Sequence, residues 1–257
     1  MAKSKHYYIR KTHRYMGVIL GIQFLLWTIG GLYFSWSNMD DVHGDFQKKP
    51  EQPVPGSFQL VSPTVAMNNI RLAHGVDSFA AVQLIQILDK PVYQLKGVGH
   101  HQHANNIYLA NALTGALRGP LTKEEAIAVA KQRFNGEPEI KSVTYLTATG
   151  GHHEYRESAL PAYAVTFAHP SGTTVYVSAN LGTVQKFRNS KWRVFDFLWM
   201  LHTMDYSSRD NIGNLLLRIF SIFGLVTVMS GFVLYWISSG LFRKSKRMKR
   251  AARPAAL

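Results

Sequence analysis

The chain has 257 residues, no cysteine, and 29 lysines and arginines against 15 aspartates and glutamates, for a formal net charge of +14 at pH 7. Without cysteine it has neither disulfides nor thiolate metal sites. The positive charge is concentrated at the two ends of the chain, which argues against nucleic-acid binding as its purpose.

Two uncharged apolar runs predict two transmembrane helices. The first covers residues 16–36, MGVILGIQFLLWTIGGLYFSW, and the second covers residues 219–238 within a helix predicted over 214–239. Each is about 20 residues long, the length that crosses a hydrocarbon core about 30 Å thick. No small-x-small cleavage pattern follows the first run, so we interpret it as an uncleaved signal anchor rather than a signal peptide.

The charges flanking these runs predict the topology. The tails 1–15 and 240–257 contain no acidic residue. Their basic residues are Lys3, Lys5, Arg10, Lys11, Arg14, Arg243, Lys244, Lys246, Arg247, Lys249, Arg250 and Arg253. Because loops rich in lysine and arginine stay cytoplasmic, both tails are predicted inside and the central region periplasmic, in the inner membrane of a bacterium.

The central region contains an internal repeat. Residues 37–57 form a polar, proline-rich linker. Beyond it, Pro91 and Tyr93 of KPVYQLKG correspond to Pro161 and Tyr163 of LPAYAVTF, and IYLANALTG corresponds to VYVSANLG. We therefore predict two similar units, at 58–120 and 121–189.

Each unit begins with a helical pattern and continues with strands. Thr122 and Glu125 form a predicted capping box at the second helix. The strands are FAAVQLIQILD, VYQLKGV and NIYLANA in the first unit and IKSVTYLTA, AYAVTFAH and TTVYVSA in the second. The predicted fold class is membrane α plus soluble α+β, with two transmembrane helices flanking two helix and antiparallel-sheet units.

A further amphipathic helix is predicted at 190–210, just before the second span. Phe195, Leu198, Trp199 and His202 lie at i, i+3, i+4 and i+7, on one face. This pattern suits a helix at the outer membrane interface. His202 is then a ligand close to lipid, or alternatively a core histidine that hydrogen bonds to a carbonyl.

The helix-strand-strand-strand unit, with its Pro-x-Tyr strand and its Tyr-Val-x-x-x-x-Gly ending, resembles a PepSY domain. THRYMGVILG at the first span and LWMLHT before the second extend the resemblance to the PepSY-associated transmembrane family over nearly the whole chain. The second unit matches better than the first. Four-span members of that family are associated with haem and with reduction of ferric siderophores, whereas this chain has two spans.

The resemblance implies haem b and histidine ligands. His43 follows the first span and His202 precedes the second, so the predicted topology puts both near the outer face as a candidate ligand pair. Arg218 suits the haem propionates, or it snorkels to the headgroups. His13 is predicted on the opposite side, where a haem would be shared with a second subunit. His43 and His13 are alternatively ordinary surface histidines.

Two histidine clusters lie in corresponding loops of the units. They comprise His100, His101 and His103 in the first unit and His152 and His153 in the second. With Glu154 and Glu157 nearby they could ligate zinc, copper or iron, or they are solvated loop tips.

Three functions remain open from the sequence. The first is a haem-bearing electron-transfer component, or reductase subunit, serving ferric siderophores or a redox partner. The second is a non-enzymatic envelope protein that binds a peptide or regulates a peptidase, and the third is a periplasmic metal-binding subunit.

No hydrolase, nicotinamide or flavin motif is present. Besides the bilayer, the expected partner is a second copy or another membrane subunit, through small residues such as Gly17, Gly21, Gly224, Ser230 and Gly231.

Overall fold

A computed structural model describes residues 5–98 and 105–239. It confirms the predicted fold class, because two apolar helices flank a region of shorter helices and two antiparallel sheets. The chain divides into two compact units. The helical unit comprises Met1–Trp36 and Phe197–Leu257, and the strand-rich unit comprises Ser37–Asp196.

The strand-rich unit contains two copies of one arrangement. The first copy consists of α3 (Pro63–His74), β1 (Ser78–Ile87), β2 (Lys90–Val98), β3 (Asn105–Asn111) and β4 (Leu117–Arg118). The second consists of α4 (Lys123–Arg133), β5 (Ile140–Leu146), β6 (Ala162–Phe167), β7 (Thr174–Ser178) and β8 (Val184–Arg188). Each sheet has its strands in sequence order. The short fourth strands, β4 and β8, are absent from the sequence-based prediction.

The amino-terminal ends of α3 and α4 are both capped by side chains. The Ser62 hydroxyl accepts a hydrogen bond from the Thr64 amide at the start of α3. At α4 the predicted capping box is confirmed, with Thr122 and Glu125 each accepting from the other's backbone amide. These bonds satisfy amides that have no partner within the helix.

Alternation along β2 divides the first sheet between two cores. Tyr93 and Leu95 pack with Ile70 of α3 in one hydrophobic cluster. Val92, which faces the other way, joins a second cluster with Phe134 and the buried strands of the second copy. Because successive strand residues point to opposite faces, the middle of the first sheet is buried on both sides.

The helical unit is built on two long helices, α1 (Lys5–Trp36) and α6 (Leu215–Ser238). They contact each other along one side, and Leu20 and Gln23 of α1 are buried. Their other sides expose large apolar residues, such as Ile22 at 64% and Leu225 at 65%. Both helices are long and apolar enough to cross a membrane. Their exposed apolar side chains are suited to contact with lipid.

Before α6 the chain forms α5 (Ser190–Thr203). After α1 it forms the short α2 (Met39–His43) and a 3₁₀ turn (Asp45–Gln47). The division between the two units falls inside α5, after Asp196. The end of α5 therefore belongs to the helical unit, and it carries His202.

Candidate functional site

His202 lies among aromatic rings in the helical unit. Its imidazole is stacked on Trp199, with ring centroids 5.9 Å apart and planes 16° apart. Trp27 and Phe34, both from α1, lie at the same centroid distance of 5.9 Å. Aromatic neighbours hold an imidazole in place without providing a hydrogen bond.

The Nδ1 atom of His202 is buried and has no hydrogen-bond partner among the residues that the structure describes. A buried polar atom without a partner costs about 1–3 kcal/mol. Buried groups of this kind are uncommon in proteins and usually call for a water, an ion or a ligand. His202 therefore has an unmet bonding capacity next to apolar rings.

The backbone at His202 is fixed by side chains of α1. Gln23 Nε2 donates to the Leu201 carbonyl at 2.9 Å, and Trp27 Nε1 donates to the His202 carbonyl at 2.9 Å. The last four carbonyls of a helix lack partners within the helix. Since Gln23 and Trp27 are four residues apart, one face of α1 caps the carboxyl end of α5.

A cavity of about 270 Å³ adjoins His202. Its walls are formed by Trp27, Trp199, His202, Thr203, Ile212 and Leu217. Apolar and aromatic walls with a single imidazole are the usual environment of a planar hydrophobic cofactor. The chemistry of these side chains, one imidazole among apolar and aromatic walls, is therefore compatible with a histidine ligand to haem.

The loop after α5 is organised by Asp205. Its carboxylate accepts hydrogen bonds from the amides of Ser207, Ser208 and Asn211 and from both serine hydroxyls. Burial alone would raise the pKa of Asp205, but these hydrogen bonds outweigh it and hold the pKa well below its usual range. The loop leads to Ile212, which lines the cavity.

His13 lies on α1, fourteen residues before Trp27. At 1.5 Å per residue these positions are about 21 Å apart along the helix. Because Trp27 contacts His202, His13 and His202 cannot bind the same iron. His13 Nδ1 lies 2.7 Å from the Ser230 hydroxyl on α6.

The other two candidate haem contacts are exposed. His43 ends α2 in the strand-rich unit, and its pairing with His202 of the helical unit stays a prediction. Arg218 is in the first turns of α6, next to Leu217 of the cavity wall. It lies at the end of α6 that faces His202.

The candidate metal ligands are only partly described. His100, His101 and His103 lie outside the described residues. His152 is exposed, and His153 Nδ1 accepts a hydrogen bond from the Tyr155 amide at 3.0 Å. Within residues 5–98 and 105–239, no group of three or more histidines and carboxylates could hold a metal ion. Binding of a metal by the two loops stays a prediction.

Glu154, next to these histidines, is engaged elsewhere. It accepts from Tyr176 Oη at 2.6 Å and from Arg193 Nε at 2.6 Å. Burial, followed by this hydrogen bond to Glu154, raises the pKa of Tyr176. The carboxylate thus stabilises the fold at the start of α5.

The small residues of the two spans divide into two groups. A methyl group at Gly224 would meet Phe24 at 3.4 Å, and one at Gly231 would meet His13 at 3.5 Å. Both positions therefore face α1 in the same chain. Gly17 and Gly21 have nothing within 4 Å of such a methyl group, so their side of α1 is open.

Sequence reasoning missed Gln23 and Asp205, and it named Ser230 only as a small packing residue and not as the partner of His13. A glutamine buried in an otherwise apolar span is a signal that could have identified Gln23, since polar groups within membranes need partners. The other two depend on long-range and loop contacts that leave no periodic pattern.

The comparisons with known proteins agree with this architecture. The family model described as the PepSY-associated TM region matches residues 10–255. No curated protein and no solved structure matches the chain. The match covers α1 from residue 10 onward, the whole strand-rich unit and α6. The chain therefore belongs to the PepSY-associated transmembrane family.

Proposed function

We propose that this membrane protein is a haem-binding electron-transfer component of the bacterial inner membrane. The observation that carries the proposal is His202 itself, which lines an aromatic cavity and whose buried Nδ1 has no hydrogen-bond partner among the described residues. A haem b bound there would accept and release single electrons. The acceptor we expect is ferric iron, as in a siderophore, or a redox partner.

The residues of the helical unit divide the work. His202 is the candidate axial ligand, and the rings of Trp27 and Trp199 line the cavity beside it. Gln23 and Trp27 hold its backbone through the carbonyls of α5. Arg218 would pair with the propionate carboxylates, because a guanidinium group can donate two parallel hydrogen bonds to one carboxylate.

A second ligand must come from elsewhere. His13 is too far along α1 to reach the same iron, so His43 or a second subunit would supply the other imidazole at His202. His13 would serve a second haem near the opposite end of α1, again shared with another subunit. We therefore propose a homodimer or a complex with another membrane subunit, in which the open side of α1 at Gly17 and Gly21 permits close approach.

Absorption spectra of the full chain, purified in mild detergent from haem-replete cells, test the proposal. We expect a Soret band and a sharp reduced α-band typical of bis-imidazole haem b. His202→Ala should abolish or convert this spectrum, whereas His152→Ala, which changes an exposed loop, should leave it intact. Protein that carries no haem would overturn the proposal.

His43→Ala and His13→Ala identify the remaining ligands. Loss of the low-spin spectrum in His43→Ala would assign it as the partner of His202. Loss of about half the haem in His13→Ala would indicate a second haem. If neither change affects the spectrum, neither histidine is a ligand, and the partner of His202 is another residue of this chain or of a different membrane subunit.

The proposed topology places both termini in the cytoplasm and the strand-rich unit in the periplasm. Because the chain has no cysteine, single introduced cysteines report exposure without background. Lys141→Cys should react with an impermeant maleimide added outside intact inner membrane, and Lys11→Cys should not. The reverse pattern would contradict the charge argument.

A groove in the strand-rich unit favours a second candidate function, the binding of an extended polypeptide. The groove has a volume of about 670 Å³ and is lined by Gln83–Gln86 of β1, by Arg133 of α4 and by residues 49–54. No strand in the described part of the chain pairs with the outer edge of β1. Pro50 and Pro53 lack amide hydrogens and cannot donate hydrogen bonds to that edge.

Two residues that line the groove have buried polar atoms that need opposite partners. Within the described residues, Gln86 Oε1 lacks a donor and Arg133 Nη1 lacks an acceptor. A polypeptide backbone offers both, and it can add to a free strand edge. Arg133 also contacts Glu51 at 3.3 Å, and the Glu51 side chain is 79% exposed, so an incoming carboxylate can replace it.

Fluorescence anisotropy with defined peptide pools tests this second function. The probe is a labelled, acetylated heptapeptide pool with a central glutamate and no proline, compared with a pool that has proline at alternate positions. The first pool should bind better, and Arg133→Gln should weaken it about tenfold or more. Lys131→Gln, an exposed change on the same helix, is the control. Equal binding of both pools would exclude strand addition.

A further inference from the structure

The contact between His13 and Ser230 joins two membrane helices. His13 Nδ1 lies 2.7 Å from Ser230 Oγ, and Ser230 Oγ lies 2.7 Å from the Thr227 carbonyl oxygen one turn earlier on α6. Both distances are those of good hydrogen bonds. The serine hydroxyl is therefore placed between a ring nitrogen and a carbonyl oxygen.

Counting protons determines the direction of both bonds. A serine hydroxyl has one hydrogen and can accept through its lone pairs, and a carbonyl oxygen can only accept. The 2.7 Å contact with Thr227 is a hydrogen bond only if Ser230 donates to it. The 2.7 Å contact with His13 is then a hydrogen bond only if Nδ1 carries the proton. The opposite assignment would press two oxygen lone pairs together.

A neutral imidazole has one N–H group. If that hydrogen is on Nδ1, then Nε2 has a free lone pair. The described residues make no hydrogen bond to His13 Nε2, and the ring is only half-buried. In metal sites, a histidine whose second nitrogen donates to a fixed acceptor has its ring and its tautomer set for ligation.

We propose that Ser230 is a positioning residue that holds neutral His13 in the Nδ1–H tautomer and so presents the Nε2 lone pair to a haem iron. The part concerning iron rests on the proposed function, whereas the tautomer stands on the two hydrogen bonds alone. Gly231 leaves space for the ring, because a Cβ atom there would lie 3.5 Å from His13 Cε1 and a longer side chain would meet the ring.

The first experiment needs no haem. The full chain, labelled with ¹⁵N-histidine and prepared haem-free in nanodiscs, is measured by NMR at neutral to mildly alkaline pH, and His13 is assigned from the signal lost in His13→Gln. We expect a protonated Nδ1 and an unprotonated Nε2. Ser230→Ala should remove this preference. A protonated Nε2 in the unchanged chain, or no response to Ser230→Ala, would overturn the proposal.

A neighbouring hydroxyl offers a matched control. Thr227 is buried on the same helix, and its Oγ1 has no hydrogen-bond partner among the described residues. Thr227→Val removes that hydroxyl with little change in shape. The His13 signals should stay as they are, which separates the loss of the Ser230 acceptor from a general disturbance of α6.

The second experiment uses the haem-loaded protein and redox titration. An acceptor on Nδ1–H makes an imidazole a stronger donor to ferric iron. Ser230→Ala should therefore raise the midpoint potential of the haem at His13, and Thr227→Val should not. Haem bound with an unchanged potential would refute the positioning role. No haem in any variant, together with the expected NMR result, would refute the proposed function and leave the tautomer assignment supported.

Discussion

His13 and His202 are both half-buried histidines of the helical unit, yet the hydrogen bonding of their Nδ1 atoms differs. Nδ1 of His13 has a partner in Ser230, whereas Nδ1 of His202 is buried without one among the described residues. At His13 the helices orient the ring, and at His202 they orient the backbone and leave the ring to aromatic packing. One environment thus selects a tautomer and the other leaves a bonding capacity unused.

The largest expected effect comes from Asp205, whose hydrogen bonds organise the loop next to the His202 cavity. Asp205→Ala leaves several amides and hydroxyls without their charged acceptor, and it should lower the free energy of unfolding by about 3 kcal/mol. SDS titration of the purified chain, followed by circular dichroism, measures this. NMR of labelled histidines should show His202 disturbed and His13 unchanged.

The control for that change is Glu137→Ala, which removes an exposed carboxylate. Surface changes of this kind usually alter stability by no more than about 0.5 kcal/mol. An equal response of His13 and His202 to Asp205→Ala would show that the two sites are not independent.

Acid should remove the same contribution. The folded-state pKa of Asp205 is depressed, so its contribution to stability is present above the unfolded pKa of about 4 and is lost as the pH falls toward the folded value. The stability difference between the unchanged chain and Asp205→Asn should therefore be largest at pH 6–7 and shrink at pH 3. SDS titration at both pH values tests this, and a difference independent of pH would contradict it.

A smaller effect is expected from Trp27→Phe, which keeps an aromatic ring at His202 but removes the donor to the His202 carbonyl. The loss should be about 1–2 kcal/mol, with a change in the His202 signals and none at His13. Trp36→Phe is the matched control, because Trp36 is on the same helix and 84% exposed. Equal losses in both variants would show that ring size matters and the hydrogen bond does not.

Local patterns predicted much of this fold. The apolar runs identified both membrane helices. The correspondence of Pro91 with Pro161 identified the repeat without any knowledge of how the strands pair. The capping box at Thr122 was also correct. All of these features depend on residues close together in sequence or on periodicity, which a single sequence displays directly.

The site itself was less accessible. His202 was recognised from its position on an amphipathic face. That its Nδ1 lacks a hydrogen-bond partner could not be predicted, because this depends on every element packed around the ring. Ser230 and His13 are 217 residues apart, and nothing in either span states which turn of α6 lies opposite which turn of α1. The pairing of antiparallel helices depends on packing across the whole interface.

The smallest expected effect is at Gly231, and it tests how closely α6 approaches His13. An alanine methyl group would lie 3.5 Å from His13 Cε1, an ordinary van der Waals distance. Gly231→Ala should therefore leave the His13 tautomer unchanged, and the better helix propensity of alanine should raise the SDS midpoint slightly, by up to about 1 kcal/mol. Gly231→Leu cannot be accommodated without moving the ring, and it should cost about 1–3 kcal/mol and weaken the bond to Ser230. His202 should be unaffected by either change. If Gly231→Ala already alters the His13 signals, the two helices are closer than described, and the orientation of His13 depends on packing as much as on its hydrogen bond.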